Sequence, residues 1–325
     1  MSKPDAVVVT GGLGYVGQSL AAVLKERGQI PIVVDYRDIP SQVPGVPVFY
    51  GSIGDKEIWK QIYDQYHIDV VYHCAGLIVV SESVQEPARY FQENLVAPLA
   101  MLNYLHDMGP VPVIFSSSAA VYGTPEMVPI PEDAPKVPIS PYGVSKWQFE
   151  EILQAYDQAY VQPWVALRYF NVAGSVNNVV ESHVPETHLL PRIANALIQG
   201  EQPEIYGTDY PTPDGTAVRD YIHMHDLVEA HLQAAQYLKD GGPSTAFNVG
   251  SGHGHSVQEV MDGFARVTGL PVDPKRLPRR AGDPPVLVAD INKARAELSF
   301  EPQFSHDIDH MIRDIWSLFT AEERY

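Results

Sequence analysis

The sequence predicts an α/β fold built on a doubly wound parallel sheet, with helices on both of its faces. Two observations lead to this prediction. Short runs rich in valine and isoleucine alternate with helix-like segments through the first half of the 325-residue chain, and uninterrupted apolar runs are typical of strands buried on both faces. A glycine-rich loop directly follows the first of these runs. A hydrophobic content of 45% is enough for a substantial core.

Strands and helices alternate in the order that such a sheet requires, because parallel neighbours need a crossover connection and helices supply it. The predicted strands are 5–10, 31–35, 46–50, 69–75, 111–117 and 164–170, and the predicted helices are 15–28, 55–66, 86–108 and 142–160.

The second half is predicted to be smaller and richer in loops. Residues 171–186, 201–218 and 271–285 are polar or rich in proline and glycine, so we expect loops there. Ser256 and Glu259 form a capping box for one of the helices. Two domains follow, 1–170 and a mixed α/β domain at 171–325, with some segments returning to the first. The helices predicted for this half are 187–200, 226–239, 256–268 and 305–320.

Composition excludes several classes of function. The formal net charge is −18, so a polyanion such as nucleic acid would be repelled. Cys74 is the only cysteine, which rules out an intrachain disulfide and fits a reducing cytoplasm. The chain enters a strand almost at once, and no run approaches the roughly 20 apolar residues of a membrane helix. We therefore expect a cytoplasmic protein without a signal peptide or membrane span.

The glycine-rich loop predicts a dinucleotide site. Gly11, Gly14 and Gly17 follow the first strand, where glycines allow a pyrophosphate to approach the backbone at the positive end of the next helix. Asp35 ends the second strand, at the position of a carboxylate that binds the adenosine ribose. An acid there repels a 2′-phosphate, so NAD is favoured over NADP, with Arg37 as a mild counter-signal.

Tyr142 and Lys146 are the strongest catalytic candidates. Residues four apart lie on one face of a helix, and a lysine cation one turn away is expected to lower the pKa of the tyrosine. Such a tyrosine can accept a proton from a sugar hydroxyl near neutral pH. A serine run, 116–118, ends an apolar strand upstream. Together with the dinucleotide loop, these residues predict a hydride-transfer site.

Longer runs carry a resemblance over essentially the whole chain. The sequence resembles the UDP-glucose 4-epimerase family of extended short-chain dehydrogenase/reductases, whose first domain has the Rossmann-type NAD-binding fold and whose second domain binds the UDP-sugar. The matching runs are TGGLGYVG at 10–17, HCAGL at 73–77, SVQEPARYFQENL at 83–95, FSSSAAVYG at 115–123, PYGVSK at 141–146, LRYFNVAGS at 167–175, YGTDYPTPDGTAVRDYIH at 206–223 and RRAGDPP at 279–285.

The resemblance implies residue roles. Tyr142 would transfer the proton, Lys146 would bind the nicotinamide ribose, and Ser118 would hydrogen-bond the reacting hydroxyl. The other residues implied at the cofactor are Gly11, Gly14, Tyr15, Val16, Gly17, Asp35, Ser52, Ile53, Ala75, Gly76, Leu77, Asn94, Ser116 and Tyr169, and those implied at the UDP-hexose are Asn171, Leu189, Tyr206, Arg219, Tyr221, Val257, Arg280, Asp283 and Leu287.

The implied activity interconverts UDP-glucose and UDP-galactose through a 4-keto sugar, with NAD tightly bound. Two of the positions that depart from the family are implied at the cofactor. Ile78 stands where many members carry a lysine that contacts the pyrophosphate, and Ser52 stands where an acid often meets the adenine. Leu287 lies where residue size selects the sugar C2 substituent, so limited activity on UDP-N-acetylglucosamine is a hypothesis.

Two alternatives stay open. Another nucleotide-sugar enzyme of this fold is one, although Ala119 and Ala120 cannot supply the acid–base pair that dehydratases use. A non-catalytic NAD-binding regulator is the other, since fold alone does not fix function. The histidine pairs 223/225 and 253/255 lack companions of metal-site spacing, so we predict no metal. The family usually forms homodimers through helices, here 86–108 and 142–160.

Overall fold

The computed structural model describes residues 3–179, 188–280 and 283–322 and divides into two compact units. Both units are discontinuous in sequence, since one segment from the second half of the chain belongs to the first unit and a short earlier segment belongs to the second. The first unit comprises Met1–Gly123, Lys136–Arg168 and Val228–Phe247; the second comprises Thr124–Pro135, Tyr169–Leu227 and Asn248–Tyr325.

Thirteen strands form within the described residues, seven of them in one sheet with the order β10-β6-β5-β4-β1-β2-β3. The strands are β1 Asp5–Thr10, β2 Pro31–Asp35, β3 Val48–Tyr50, β4 His67–His73, β5 Val113–Ser118, β6 Trp164–Tyr169, β7 Asn171–Ala173, β8 Glu204–Tyr206, β9 Val218–His223, β10 Thr245–Val249, β11 Gly254–Ser256, β12 Lys275–Leu277 and β13 Val286–Leu287.

The seven-stranded sheet is parallel, as predicted, and its inner strands are buried. Strand β1 pairs in parallel with β2 and β4, and the pairing continues in parallel to β3 and β5. All five residues of β2 are buried, which explains why its sequence is an apolar run rather than an alternating one. The strand order reverses between β1 and β4, and the crevice at the carboxyl ends of such strands is where ligands bind in open α/β sheets. The predicted fold class is confirmed.

The predicted helices form to within a few residues in the described parts of the chain, whereas two short helices, Val80–Gln85 and Asn292–Leu298, were not predicted. The predicted helix 86–108 differs in one respect: a π-helical turn, Gln92–Val96, interrupts it. A π-turn adds one residue to a helical turn and is frequent at functional sites. The helices are α1 Tyr15–Glu26, α2 Lys56–Gln65, α3 Val80–Gln85, α4 Pro87–Phe91, α5 Ala97–Met108, α6 Pro141–Tyr160, α7 Leu189–Ile198, α8 Met224–Lys239, α9 Val257–Thr268, α10 Asn292–Leu298 and α11 Ile308–Glu322, with a short 3₁₀ turn at Ala119–Tyr122.

The second unit is built around β9. Strand β9 pairs in antiparallel with β11 and in parallel with β7 and β13, while β8 and β12 form a separate parallel pair. Helices α7, α9 and α11 supply one apolar core. The predicted capping box at Ser256 and Glu259 is confirmed at the start of α9.

The loop predictions were wrong at three places in this unit. Strands β7, β8 and β12 lie in segments predicted to be loops. Each has only three residues, and its pairing partner is distant in sequence, so no local pattern marks it. The rest of the predicted loop 171–186 from position 180 onward, and the first residue of the predicted helix 187–200, lie outside the described residues.

Within the described parts of the chain, we find no helix whose length and apolarity would let it cross a membrane.

Candidate functional site

The glycine loop between β1 and α1 forms a cradle for phosphate groups. Gly11 has a φ of +66°, and a Cβ on it would lie 2.6 Å from the backbone of Ala75. A Cβ on Gly17 would lie 2.3 Å from the carbonyl oxygen of Gly11. Only glycines fit such close backbone approaches. Gly14 is the N-cap of α1 and makes no side-chain capping bond, so the positive end of the helix, at Tyr15 and Val16, faces the loop.

Asp35 lies at the carboxyl end of β2, but it already has partners. Its buried carboxylate accepts hydrogen bonds from Leu13 N at 3.0 Å and from Arg37 N and Nε, each at 3.0 Å. Arg37 Nη2 donates to Asp35 Oδ2 at 2.7 Å. A ribose that binds Asp35 would therefore have to replace Arg37. Ser52 and Ile53 follow the neighbouring strand β3, and the Ile53 side chain is buried.

Asn94 fixes the loop that follows β4. Its side chain accepts a hydrogen bond from Leu77 N at 2.7 Å and donates one to Leu77 O at 2.9 Å. Both backbone polar groups of Leu77 are therefore hydrogen-bonded, as they would be to a neighbouring strand. A Cβ on Gly76 would meet Asn94 Oδ1 at 3.1 Å and Lys146 Nζ at 3.3 Å. Asn94 lies in the π-turn and also donates to Ser145 of α6 at 3.2 Å. The π-turn thus connects the 75–77 loop to the helix that carries Tyr142.

Helix α6 and the end of β5 bring Ser118, Tyr142 and Lys146 together. Ser140 caps α6 by accepting from Gly143 N at 3.1 Å, which places Tyr142 in the first turn. Lys146 Nζ donates to Ser116 O at 2.9 Å and lies 5.9 Å from the centre of the Tyr142 ring. The Ser118 side chain hydrogen-bonds Tyr142. The three predicted catalytic residues therefore form one connected group.

The electrostatics of this pair differ from the sequence prediction. Burial raises the pKa of Tyr142, and the hydrogen bond from Ser118 opposes this only in part. Burial also lowers the pKa of Lys146 to about 8, although the nearby Cys74 and Glu150 favour its charged form. The predicted lowering of the tyrosine pKa was wrong for the chain without ligands, because desolvation of a phenolate outweighs its favourable contacts.

Two neighbours of Lys146, His73 and Cys74, are poor proton acceptors near neutral pH. Burial raises the pKa of the Cys74 thiol to about 11. Burial and the Lys146 cation lower the pKa of His73 to about 3, and its Nδ1 lies 2.8 Å from Thr10 Oγ1. A neutral histidine and a neutral thiol leave proton transfer to Tyr142.

Sequence reasoning missed a buried ion pair next to this group. Glu150 follows Lys146 by four residues on α6, and its carboxylate pairs with Arg168 of β6 and accepts from Ser117. The i, i+4 continuation of the Tyr142–Lys146 spacing was the available signal, since a carboxylate on a buried helix face requires a partner.

Strand β9 carries Arg219, which forms an ion pair in the second unit. Arg219 donates to Val218 O at 2.7 Å and forms an ion pair with Asp283. Leu287 of β13 is the register partner of Arg219. Tyr221 is buried and pairs in register with Asn171 of β7. Four of these predicted residues therefore lie on neighbouring strands, and the fifth, Asp283, precedes β13.

A second group surrounds Tyr206 at the end of β8. The Arg280 guanidinium lies 4.0 Å from the centre of the Tyr206 ring, a cation–π distance. The Tyr206 hydroxyl donates to Glu204 at 2.6 Å.

Three further predicted residues lie elsewhere. Leu189 and Val257 begin α7 and α9 and pack against the core of this unit. Tyr169 ends β6 and is half-buried.

One histidine cluster resembles a metal site in composition but is a hydrogen-bond network. Ligand atoms of His223, His310 and Asp314 lie within 4.8 Å of one another. His223 Nδ1 accepts from His225 N at 3.0 Å, so the proton of a neutral ring is on Nε2, which lies 2.9 Å from Asp314 Oδ2. Neither nitrogen then has a free lone pair for a metal. Asp5, His67 and Asp69 form an exposed group of similar composition.

Comparisons with known proteins identify the family of the chain. The profile of the family described as NAD dependent epimerase/dehydratase matches residues 7–250. The UDP-glucose 4-epimerase of Streptococcus mutans is 40% identical, with 96% of each chain covered. The crystal structure of UDP-glucose 4-epimerase from Brucella ovis in complex with NAD has a TM-score of 0.92 at 39% identity, covering 97% of this chain and 98% of that one.

A third similar protein is the UDP-Glc/GlcNAc 4-epimerase of Campylobacter jejuni, with a TM-score of 0.83 at 33% identity over 98% of this chain and 99% of that one. The profile match covers most of the chain, and the curated relative is similar over nearly its full length. The chain belongs to the NAD dependent epimerase/dehydratase family.

Proposed function

We propose that this chain is a UDP-glucose 4-epimerase that interconverts UDP-glucose and UDP-galactose at C4 with tightly bound NAD. One observation carries the proposal: Ser118, Tyr142 and Lys146 form a connected proton-transfer group beside a glycine cradle, in a chain similar to UDP-glucose 4-epimerases over nearly its full length.

The residues present fit NAD. The glycine cradle and the start of α1 suit its pyrophosphate, and Lys146 suits the nicotinamide ribose. Asp35 suits its adenosine ribose once the ribose hydroxyls replace Arg37. When bound, NAD would supply reversible hydride transfer at C4 of the sugar. The wider set of contacts that we assign to NAD is Gly11, Gly14, Tyr15, Val16, Gly17, Asp35, Ser52, Ile53, Ala75, Gly76, Leu77, Asn94, Ser116, Tyr142, Lys146 and Tyr169.

Tyr142 is assigned the proton transfer. Its Oη takes the proton of the sugar 4-hydroxyl as the 4-keto sugar forms, and returns the proton when the hydroxyl is restored. Ser118 holds the reacting oxygen close to Tyr142. Because burial raises the pKa of Tyr142, the phenolate requires a positive charge nearby, and the Lys146 ammonium provides one.

The second unit is assigned the UDP group. Arginine guanidinium groups bind diphosphates through paired charge-assisted hydrogen bonds, and Arg219 and Arg280 are the candidates. Tyr206 offers a ring face to the uracil. The remaining assigned contacts are Asn171, Leu189, Tyr221, Val257 and Asp283. Strong binding of the diphosphate keeps the keto sugar in the site. Few contacts to the hexose allow that sugar to rotate and present its other face.

Leu287 is the candidate specificity residue for the C2 substituent. Its side chain is half-buried at a two-residue strand, and leucine is smaller than tyrosine. We therefore assign limited activity on UDP-N-acetylglucosamine and UDP-N-acetylgalactosamine to this chain. The observation that favours it is the similarity to an epimerase whose name includes both sugars.

We further propose a cytoplasmic homodimer whose two subunits meet through the helical segments 86–108 and 142–160, and which takes no metal and binds no nucleic acid. The net charge of −18 supports the last point, and the single cysteine supports the compartment. Light scattering of the purified chain tests the dimer, for which a monomeric mass would be the contrary result.

The proposed activity is tested by NMR of the anomeric protons. The purified chain is incubated with UDP-galactose alone and with UDP-N-acetylgalactosamine alone, without added cofactor. We expect UDP-glucose from the first and slower conversion of the second. An unchanged UDP-galactose spectrum, also after NAD is supplied, would refute the epimerase.

A further inference from the structure

Helix α6 carries three buried polar side chains at four-residue spacing, Tyr142, Lys146 and Glu150, and only the first two have a role so far. This spacing places them on one face of the helix. Glu150 is 2% exposed, so its carboxylate is removed from water as completely as the catalytic pair. A buried carboxylate is costly unless it is paired and hydrogen-bonded.

Arg168 provides that pairing with two nitrogens. Its Nε lies 3.0 Å from Glu150 Oε1 and its Nη2 lies 2.5 Å from Oε2, a side-on arrangement in which the fork of the guanidinium matches the carboxylate. Ser117 donates to Glu150 Oε1 at 2.5 Å. The ion pair thus joins α6, β6 and the end of β5.

The network holds the chain on both sides of Ser118. Ser117, directly before it, is bonded to Glu150. Tyr122, at the end of the 3₁₀ turn that follows, accepts from Arg168 Nη1 at 3.0 Å, and the guanidinium lies 5.3 Å from its ring centre. Ser118 therefore occupies a short segment whose two ends are fixed to the same ion pair.

Each serine of the run is also bonded to a different residue of the α6 face. The Ser116 carbonyl oxygen accepts a hydrogen bond from Lys146. Ser117 donates to Glu150, and the Ser118 side chain hydrogen-bonds Tyr142. Of these, the bond to Glu150 has a charged acceptor whose own position is fixed by Arg168. It is the contact best able to hold the strand end against the helix.

We propose that Ser117 and the Glu150–Arg168 ion pair are positioning residues for proton transfer, because they fix the Ser118 hydroxyl against Tyr142. The proposal rests on the epimerase function proposed above. None of the three residues touches a reacting atom, so they act through Ser118. An ion pair that only stabilised the fold would change unfolding and leave the proton-transfer group unaltered.

Ser117→Ala tests the proposal with a small change. It removes one hydroxyl and keeps the ion pair, so the chain is expected to fold. We expect kcat to fall roughly tenfold with KM unchanged, since a displaced catalytic group costs rate rather than affinity. Leu153→Ala is the matched control: it lies on the same helix, is fully buried, and should lower Tm at least as much without changing kcat.

Titration of Tyr142 gives a second readout that needs no substrate. Tyrosinate absorbance is followed against pH, and each protein is compared with the same protein carrying Tyr142→Phe, so that the difference reports Tyr142. Because the Ser118 bond lowers the pKa of Tyr142, Ser117→Ala should raise it and Leu153→Ala should not. The main charged neighbour of Tyr142 on α6, Lys146, is unchanged in both variants.

Glu150→Gln provides the larger perturbation. Where this variant folds, judged by circular dichroism, its kcat should fall further than that of Ser117→Ala. An unchanged kcat or an unchanged Tyr142 titration in folded Ser117→Ala overturns the positioning role. If the wild-type chain epimerises nothing, the function fails while the titration still decides the positioning.

Discussion

The candidate groups of the two units are held in different ways. In the first unit, Tyr142 and Lys146 are 9% and 4% exposed and are bonded to the fixed end of a strand. In the second, Arg219 is equally buried, at 9% exposure, but its ion-pair partner Asp283 has a side chain that is 32% exposed, and Arg280 lies on Tyr206. Proton transfer needs a geometry that does not change, whereas nucleotide binding needs charges that can exchange one partner for another.

This difference predicts which kinetic constant each unit controls. Substitutions in the first unit should lower kcat, because they alter groups whose position or charge matters in the transition state. Substitutions in the second should raise KM, because they alter binding that is equal in the ground and transition states.

The largest effect is expected from Tyr142→Phe. Loss of a general acid–base group typically costs 10²- to 10⁴-fold, so we expect turnover to fall roughly a thousandfold while NAD stays bound. Turnover is measured with UDP-galactose, and bound NAD is released by denaturation and quantified by absorbance. Tyr160→Phe, at the exposed end of the same helix, is the control. Turnover of Tyr142→Phe within tenfold of the wild type would remove the proton-transfer role.

Arg219→Lys should raise KM for UDP-galactose roughly 10- to 100-fold and change kcat little. The substitution keeps the charge but loses the fork that binds a diphosphate through two hydrogen bonds. Initial rates over a range of UDP-galactose concentrations separate the two constants. The control is Arg266→Lys, which alters a more exposed ion pair with Asp309 in the same unit. A fall in kcat with KM unchanged would contradict the claim that the second unit controls KM.

The pH dependence of kcat should follow the Tyr142–Lys146 pair. The active form, a phenolate beside an ammonium, carries one proton fewer than the fully protonated pair. Burial lowers the pKa of Lys146 to about 8 and raises that of Tyr142, so the first proton leaves the pair near pH 8 in the chain without ligands. Turnover should therefore rise as pH increases towards this value and fall only when the second proton is lost.

A profile of initial rates across this range checks the sign. The positive nicotinamide ring of NAD favours loss of a proton and moves the rising limb to lower pH. A kcat that decreases steadily with pH from the acid side would mean that the protonated tyrosine is the active form.

The smallest effect is expected at Leu287. Leu287→Tyr should reduce turnover of UDP-N-acetylgalactosamine roughly tenfold more than that of UDP-galactose, since a larger side chain excludes the acetamide and not a hydroxyl. Leu287→Met conserves volume and is the control. The two substrates are compared in separate NMR time courses. Equal losses for both would mean that Leu287 does not face the C2 substituent.

The sequence was sufficient for features that local patterns encode. The glycine loop, the Tyr142–Lys146 spacing and the apolar runs of the parallel sheet each leave a signature within a few residues. The capping box at Ser256 is equally local. The structure confirms the parallel strands and the capping box, and it places Tyr142 and Lys146 on one helix, α6.

The remaining features depend on residues that are distant in sequence. Glu150 and Arg168 meet because a helix packs on a strand, and neither position reveals the other. The Asp35–Arg37 pair is an exception, because these residues are only two apart and their pairing depends on the local conformation after β2. The pKa of Tyr142 was predicted in the wrong direction because burial, a tertiary property, exceeds the effect of its neighbours.

The central claim is hydride transfer to and from C4 within one site, and deuterium at C4 tests it most directly. UDP-galactose deuterated at C4 is incubated in ordinary water with the purified chain, loaded with NAD. We predict UDP-glucose that retains the deuterium at C4, because the hydride returns to the carbon that it left. Product with hydrogen at C4 would show exchange with solvent and would contradict the account.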